Sequence, residues 1–306
     1  MSRIFRFACL LLAMALARPL VAGAEASPGV LVLGRISDDP RAHHDQLKPL
    51  LDYVVPRMAE VGIREGRILM AKDVQQMSSY MRRGRVDWVT ETAGTAMLLK
   101  ARAAAVPFLI TERDGVSHYH SVFFARRDRG LKTLDDLRGR RVAFQRPNST
   151  SAYFVPAAEL LGRSMSLEIL LSPDDQPSPN AVGYLFARSE LNIATWVHKG
   201  LADAGVMSNL DWANPRRVPG AFRQDFVLIG RTPRYPRAVE VVRGNLDTRV
   251  AARLREVLLG AHRDPAGREA LARFFETTRF LPLDATSNHA LEQIGIGVQR
   301  VRADVE

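Results

Sequence analysis

Three side-chain hydroxyls in succession, Ser149-Thr150-Ser151, stand where a short apolar run gives way to a helical pattern. The surrounding stretch reads Arg141-Val-Ala-Phe-Gln-Arg-Pro-Asn-Ser-Thr-Ser-Ala-Tyr-Phe-Val-Pro156. A strand that runs into a hydroxyl-rich loop and then opens a helix sets those hydroxyls beside the first helical N–H groups, which have no internal acceptor. The aligned peptide dipoles make that end of the helix positive. Amides and hydroxyls together can donate several hydrogen bonds to one oxyanion, whether phosphate, phosphonate or carboxylate. N-capping by Ser149 or Thr150 accounts for one hydroxyl with no ligand at all. A run of three tips the reading toward a ligand.

Other constellations are weaker. His43-His44 and His118-x-His120 carry ring nitrogens, and residues two apart on a strand share a face. No acidic partner stands at a diagnostic spacing, and adjacent histidines do not readily chelate together, so no metal is expected. His43 remains a candidate ligand contact, with an ordinary surface histidine as the alternative. The Gly-x-Ser-x-Gly elbow, Ser-x-x-Lys, His-Glu-x-x-His and the Walker A loop do not occur in the sequence. Ser149 has no base placed by motif. The chain therefore reads as a binding protein with no cofactor, not as an enzyme. Trp88 and Trp196 lie in apolar periodic segments and are expected in the core.

Short apolar strands alternating with amphipathic helices must position the hydroxyl loop, and that pattern predicts an α/β protein. Strands are expected over 30–36, 67–71, 86–89, 106–110, 141–145, 167–171, 201–206 and 226–230. Helices are expected over 47–61, kinked by Pro56, and over 73–83, capped by Asp73 and ended by Gly84. Others follow over 94–103, 133–137, 190–198, 248–261, 265–276 and 286–302. His118 to Arg126 reads as one extended run crossing between lobes, and Phe226 to Gly230 as the strand that brings the chain back. Ser172 to Asn180, with three prolines, reads as a loop.

The 306 residues are 46% apolar and 25% charged, ordinary globular values that exclude disordered, collagen-like and coiled-coil classes. The length suits two lobes, since single cores stop growing at roughly 250–300 residues. The formal charge of +10 is scattered in pairs such as Arg82-Arg83, Arg126-Arg127, Arg140-Arg141 and Arg216-Arg217. With no basic block, no finger, zipper or RNA-recognition signature, and only 7% aromatics, no nucleic-acid partner is expected.

Arg3 and Arg6 precede an apolar run from Phe7 to Ala17, followed by Val21-Ala22-Gly23-Ala24. This is the pattern of a secretory signal peptide over residues 1–24, cleaved after Ala24 or, alternatively, Ala26. The apolar run falls short of the ~20 residues needed to span a bilayer. Cleavage removes Arg3, Arg6 and Arg18, so +10 becomes +7, and it removes Cys9, the only cysteine. A mature protein without cysteine has no disulfide, thiolate metal site or cysteine nucleophile. The expected compartment is the periplasm.

The run Pro147-Asn148-Ser149-Thr150-Ser151, an aromatic residue and Val155-Pro156 resemble the phosphonate-binding family of periplasmic solute receptors. Leu131-Lys-Thr-Leu-Asp-Asp-Leu-Arg-Gly-Arg-Arg-Val-Ala-Phe144 is similar to a segment common to the wider type 2 receptors, and Tyr119-His-Ser-Val-Phe123 to the family's crossover strand. Gly84-Arg-Val-Asp87 and Lys199-Gly-Leu-Ala-Asp203 resemble its two Gly-x-Val-Asp motifs. The similarity runs from about Val30 to the C-terminus. It implies a two-lobed, type 2 periplasmic-binding-protein-like α/β fold with an inter-lobe cleft and two crossing strands. Lobe 1 would comprise 25–117 and 232–306, and lobe 2 would comprise 118–231. The resemblance further implies closure around a small ligand and delivery to the membrane permease of an ABC importer. A ligand-sensing partner of a membrane sensor kinase is the alternative.

By the same resemblance, Ser149, Thr150 and Ser151 hold an anionic head, Tyr119 donates from the hinge side, and Asn148 and Arg146 are neighbours. Two departures stand out. Glu190 falls where the family usually places a histidine, and Glu91 where it often has an aromatic residue. A carboxylate facing a phosphonate repels it. Either the ligand is zwitterionic, with Glu91 and Glu190 facing its ammonium, or it is not a phosphonate. Exposed helix-end charges remain the third reading of both residues.

Overall fold

The computed structural model describes residues 29–305, so the leader read over residues 1–24 lies outside the described residues. Its elements in chain order begin with β1 (Val30–Ile36), α1 (Pro40–Val54), β2 (Glu65–Ala71), α2 (Val74–Arg82), β3 (Trp88–Glu91), α3 (Ala93–Ala103) and β4 (Val106–Arg113). They continue with β5 (His118–Tyr119), β6 (Ser121–Arg126), β7 (Arg141–Phe144), α4 (Val155–Gly162), β8 (Ser166–Ile169), β9 (Ala181–Phe186), α5 (Glu190–Lys199) and β10 (Ala204–Ser208). The rest are α6 (Asn209–Ala213), α7 (Gly220–Arg223), β11 (Phe226–Arg231), β12 (Tyr235–Pro236), β13 (Ala238–Val242), α8 (Thr248–Gly260), α9 (Pro265–Arg273), β14 (Thr277–Pro282) and α10 (Ala285–Val305). None of the helices among the described residues is long and apolar enough to cross a membrane.

Two six-stranded mixed sheets carry the fold, in the orders β14-β4-β13-β3-β1-β2 and β11-β6-β10-β7-β9-β8. The apolar run Val30–Leu33 of β1 fits its place between parallel neighbours β2 and β3, where both faces are covered. Leu47, Leu50, Leu51 and Val54 form the buried stripe of α1, which Asp39 caps by accepting from Ala42 N at 3.1 Å. That helix starts seven residues before the expected one. It tightens at Val55 into 3₁₀ turns through Val61, where Pro56 lacks the N–H an α-helix would use. Asp73 caps α2 by accepting from Gln76 N at 2.7 Å. Gly84 follows with φ +66°, a left-handed position that glycine takes at no steric cost.

The two Gly-x-x-Asp segments play matching parts in the two sheets. Asp87 accepts from Val32 N at 2.8 Å and pairs with Arg243 at 2.7 Å. Asp203 accepts from Arg141 N at 2.9 Å and pairs with the Arg141 guanidinium at 3.1 Å. Each buried carboxylate thus locks a neighbouring strand and is neutralised by an arginine, which is the condition for keeping such a charge out of water.

Several expectations need correction. The 118–126 run breaks at His120, whose N–H donates to Asn209 Oδ1 at 2.9 Å, leaving β5 to pair with β12 and β6 to join the second sheet. Phe226 to Gly230 does not return the chain. It pairs with β6 at the edge of the second sheet, and the return runs through Tyr235–Pro236. Strands β9, β13 and β14 were not expected from the pattern. In β13 the reason is visible, because Glu240 interrupts an apolar run and yet is fully buried. Trp88 is buried as expected, whereas Trp196 is only partly covered and packs at the margin of the second core.

Candidate functional site

A cavity of about 1010 Å³ opens between the two sheets. Its walls follow from topology. Parallel strands β1, β2 and β3 all end on the same side, so the residues at and just beyond their carboxyl ends (Ile36 to Asp38, Lys72 to Gln75, Glu91 and Thr92) line it. From the second sheet β7 and β9 end opposite, contributing Gln145 to Ser151, Phe186 and Arg188. Ligands of open α/β sheets bind outside such carboxyl ends.

Seven of the eight expected site residues meet there: Ser149, Thr150, Ser151, Asn148, Tyr119, Glu91 and His43. Glu190 is not among the lining residues. Its carboxylate accepts from Gln145 Nε2 at 2.5 Å and lies 3.8 Å from Arg217, while burial raises its pKa above the ordinary glutamate range. Gln145, which does line the cavity, is the link between Glu190 and the cleft.

The three hydroxyls do not converge on one point. Ser149 accepts from Ala152 N at 3.2 Å and caps a wide π-type turn, Thr150–Phe154, that leads into α4. Ser151 hydrogen-bonds the hydroxyl of Tyr119. Thr150, only 2% exposed, reaches across the cleft, donating to Thr92 Oγ1 at 2.9 Å and accepting from Gly94 N at 3.0 Å. It occupies the N-terminal amide of α3, whose N-cap Thr92 makes no capping bond of its own. Arg146 and Asp38 add an exposed ion pair at 2.8 Å across the same gap, of the kind worth ~0–1 kcal/mol.

Tyr119 is enclosed edge-on against Tyr235 at 4.9 Å, and burial pushes its pKa up to about 12, so the phenol stays neutral and able to donate. His43 bonds Ser37 Oγ through Nδ1 at 2.6 Å, and burial together with the Arg35 charge lowers its pKa. Glu91, 5% exposed, accepts from Ile36 N at 3.1 Å and lies 3.7 Å from Arg35. That carboxylate is already compensated without an ammonium from a ligand. No group of three or more His, Cys, Asp and Glu able to hold a metal occurs among the described residues. His118 instead bonds Ser117 and Ser287.

Sequence reasoning missed the cations. Arg35, Lys72, Arg102, Arg188 and Arg302 line the cavity with Arg146, six cationic side chains against the three carboxylates Asp38, Asp73 and Glu91. They come from distant parts of the chain. Arg35, Lys72 and Arg146, at or just beyond the carboxyl ends of expected strands, carried a positional signal, whereas Arg102, Arg188 and Arg302 carried none.

The close approach at α3 supplies a test. A Cβ on Gly94 would lie 2.7 Å from Thr150 Oγ1 and 3.3 Å from the Phe154 ring. Gly94→Ala is expected to break the Thr150 bond and wedge the cleft open, lowering ligand affinity about tenfold, as loss of one such bond does. Thermal stability without ligand would change little. Titration calorimetry on the variant checks this, and unaltered affinity would show that the contact is slack.

A family model described as the periplasmic substrate-binding protein of the phosphonate ABC transporter matches residues 36–287. Among solved structures, a Xanthomonas citri protein bound to chloride ion is 55% identical, with TM-score 0.85 over 90% of this chain and 100% of that one. The same protein bound to ATP gives 54% identity and TM-score 0.84 over 91% and 100%. A Prochlorococcus marinus protein in complex with methylphosphonate matches at 19% identity and TM-score 0.61, covering 90% of this chain and 100% of that one, a likeness of fold.

Proposed function

Because this chain belongs to the phosphonate-type periplasmic substrate-binding proteins of ABC transporters, we propose that it captures a phosphorus oxyanion in the cleft between its sheets for an importer's permease. The two crossing strands β5 and β12 serve as the hinge in this reading, and the lobes are 25–117 with 232–306, and 118–231. The protein binds and closes without making or breaking a bond. Export through residues 1–24 places it where such a permease receives its cargo.

One observation carries the reading. Six cationic side chains ring a cavity into which both sheets direct their strand ends and to which the Ser149–Ser151 loop contributes. Such a field draws anions in and repels cations. Thr150 already bridges the gap to the α3 amide. An anion entering there exchanges the Thr150–amide bond for bonds from both the hydroxyl and the amide, and charge-assisted bonds are roughly twice as strong. The dipole at the start of α3 favours the same exchange.

The cavity's volume also speaks to ligand size. About 1010 Å³ matches the upper end of sites for drug-sized molecules, ~300–1,000 Å³. A bare orthophosphate would leave most of it to water. A phosphate ester with an organic body fits better, and the ATP bound by the Xanthomonas citri relative belongs to that class.

Titration calorimetry on refolded, ligand-free protein tests the proposal with orthophosphate, methylphosphonate, 2-aminoethylphosphonate, ATP and neutral glucose. At least one phosphorus oxyanion is expected to bind in the micromolar range or tighter and to raise the melting temperature. Glucose should leave both unchanged. Binding of no anion, or equal binding of the neutral sugar, would refute the reading.

A further inference from the structure

The six cations of the cleft are not equally engaged. Arg35 donates to Thr90 O at 2.6 Å and lies 3.7 Å from Glu91. Arg146 pairs with Asp38 at 2.8 Å, and Arg302 is engaged as well. The side chains of Lys72, Arg102 and Arg188 make no hydrogen bond, ion pair or ring contact among the described residues, and all three are exposed where they line the cavity. Arg102 belongs to the last turn of α3, where a cation suits the helix dipole without any ligand. The other two stand at the opposite kind of helix end. Lys72 directly precedes Asp73, the N-cap of α2, and Arg188 directly precedes Ser189, the N-cap of α5. A cation is disfavoured there and an anion is favoured.

Backbone contacts bring these two positions to either side of one ion pair. Ser37 N donates to Ala71 O at 2.9 Å, which sets Asp38 beside Lys72 at the ends of β1 and β2. From the second sheet, Arg146 donates through Nε to Arg188 O at 3.1 Å and through Nη1 to Asp38 Oδ2 at 2.8 Å. Lys72 and Arg188 therefore flank the Asp38–Arg146 pair, one from each sheet. The carboxylates nearby are already committed. Asp38 answers Arg146, whose hydrogen bond holds its pKa below the ordinary aspartate range. Asp39 and Asp73 cap α1 and α2, and Glu190 faces Gln145 and Arg217.

Arg188 is also held in an unusual backbone conformation. Its φ of 72° is left-handed, which a residue with a side chain rarely adopts. Its N–H donates to Gln145 O at 2.8 Å and its carbonyl accepts from Arg146, so both peptide groups are pinned while the guanidinium stays free. Strained backbone of this kind concentrates where a group must be positioned. The hydroxyl loop is close by. Ser149 N donates to Arg146 O at 3.1 Å, closing a turn whose ends lie within about 7 Å of each other.

We propose that Lys72 and Arg188 form a clamp at the mouth of the cleft, one cation from each sheet, for a second phosphoryl group of the ligand, next to the one at the Ser149–Ser151 loop. This rests on the oxyanion-receptor reading and narrows its ligand class to phosphorus oxyanions with two or more linked phosphoryl groups. Because the two cations stand on opposite sides of the gap, the anion they share also draws the two sheets together.

Orthophosphate and pyrophosphate are the probes, titrated calorimetrically into the wild type, Arg188→Gln, Arg188→Lys, Arg188→Gly and Lys72→Gln. Wild type is expected to bind pyrophosphate at least about tenfold tighter than orthophosphate, the worth of one charge-assisted bond. Arg188→Gln and Arg188→Gly should cut that ratio below about threefold, and Lys72→Gln should narrow it too. Arg188→Lys should keep part of it, since the charge stays while the forked donor edge is lost. Melting of the ligand-free variants tests for a structural role. Both side chains are exposed and unpaired, so Arg188→Gln and Lys72→Gln should melt within about 2 °C of the wild type. Arg188→Gly takes φ 72° without strain and should melt no lower. A wild-type ratio near one, a ratio that survives in both Arg188→Gln and Lys72→Gln, or a clearly lowered melting temperature in Arg188→Gln would overturn the clamp. A wild type that binds neither probe overturns it as well, and methylphosphonate and ATP then decide the receptor reading separately.

Discussion

Replacing Ser149, Thr150 and Ser151 together by alanine is expected to weaken binding of a phosphorus oxyanion by more than about 100-fold, from two or more charge-assisted bonds at roughly 1.5–3 kcal/mol each. The contacts assign different shares to the three. Thr150→Ala removes the hydroxyl at the α3 amide and should account for most of the lost affinity. Ser151→Ala acts through Tyr119, whose hydroxyl it now holds. Ser149→Ala removes the cap on Ala152 N, a stability effect of ~1 kcal/mol. The triple variant should therefore melt a few degrees lower without ligand, at ~2–4 °C per kcal/mol. Simple helix capping by the whole run would predict that melting shift with no change in affinity. Calorimetry and thermal melts on the three single variants distinguish the two readings, and an intact oxyanion affinity in the triple variant would remove the hydroxyl loop from the site.

The largest effect on stability is expected at Glu240, which is not among the residues that line the cavity. Its fully buried carboxylate accepts from Trp88 Nε1 at 2.5 Å, Thr90 Oγ1 at 2.7 Å and Thr111 Oγ1 at 2.6 Å, binding three strands of the first sheet through side chains. Glu240→Ala leaves those donors unanswered and opens a cavity, a loss of about 3–5 kcal/mol. Glu240→Gln keeps an acceptor, and the two threonine hydroxyls can turn to accept from its amide, so its cost should stay under about 1.5 kcal/mol. Burial raises the Glu240 pKa in the folded chain, the hydrogen bonds offsetting only part of that rise. A raised folded-state pKa means that its contribution is complete below the ordinary glutamate range, about 4.3, and is lost as pH climbs through the folded value. Urea unfolding between pH 4 and pH 7 should show that decline in the wild type and not in Glu240→Gln. Parallel pH profiles in the two proteins would show that the folded-state carboxyl is not held above the ordinary glutamate range.

Much of this arrangement was legible in the chain itself, because it is encoded locally. The apolar run Val30–Leu33 and the spaced leucines of α1 carry their periods within a few residues, and Asp73 stands directly before the helix it caps. Glu240 shows the limit. A glutamate in mid-strand reads as a break in an apolar run, and its three donors come from residues 88, 90 and 111, on two other strands. Nothing near position 240 announces them.

The amino-acid order alone determined the α/β class, the strand–loop–helix carrying Ser149-Thr150-Ser151, and the family resemblance, since period, turn chemistry and motif are properties of neighbours in sequence. Tertiary structure decided that Thr150 would bond the α3 amide, that Glu190 would sit behind Gln145, and that six scattered cations would share one cavity. The physical reason is range. A helix or strand is settled by contacts a few residues apart, whereas the cleft is made where strand ends from two sheets meet, and a polar side chain's partner there depends on how segments 45 or more residues apart are brought together.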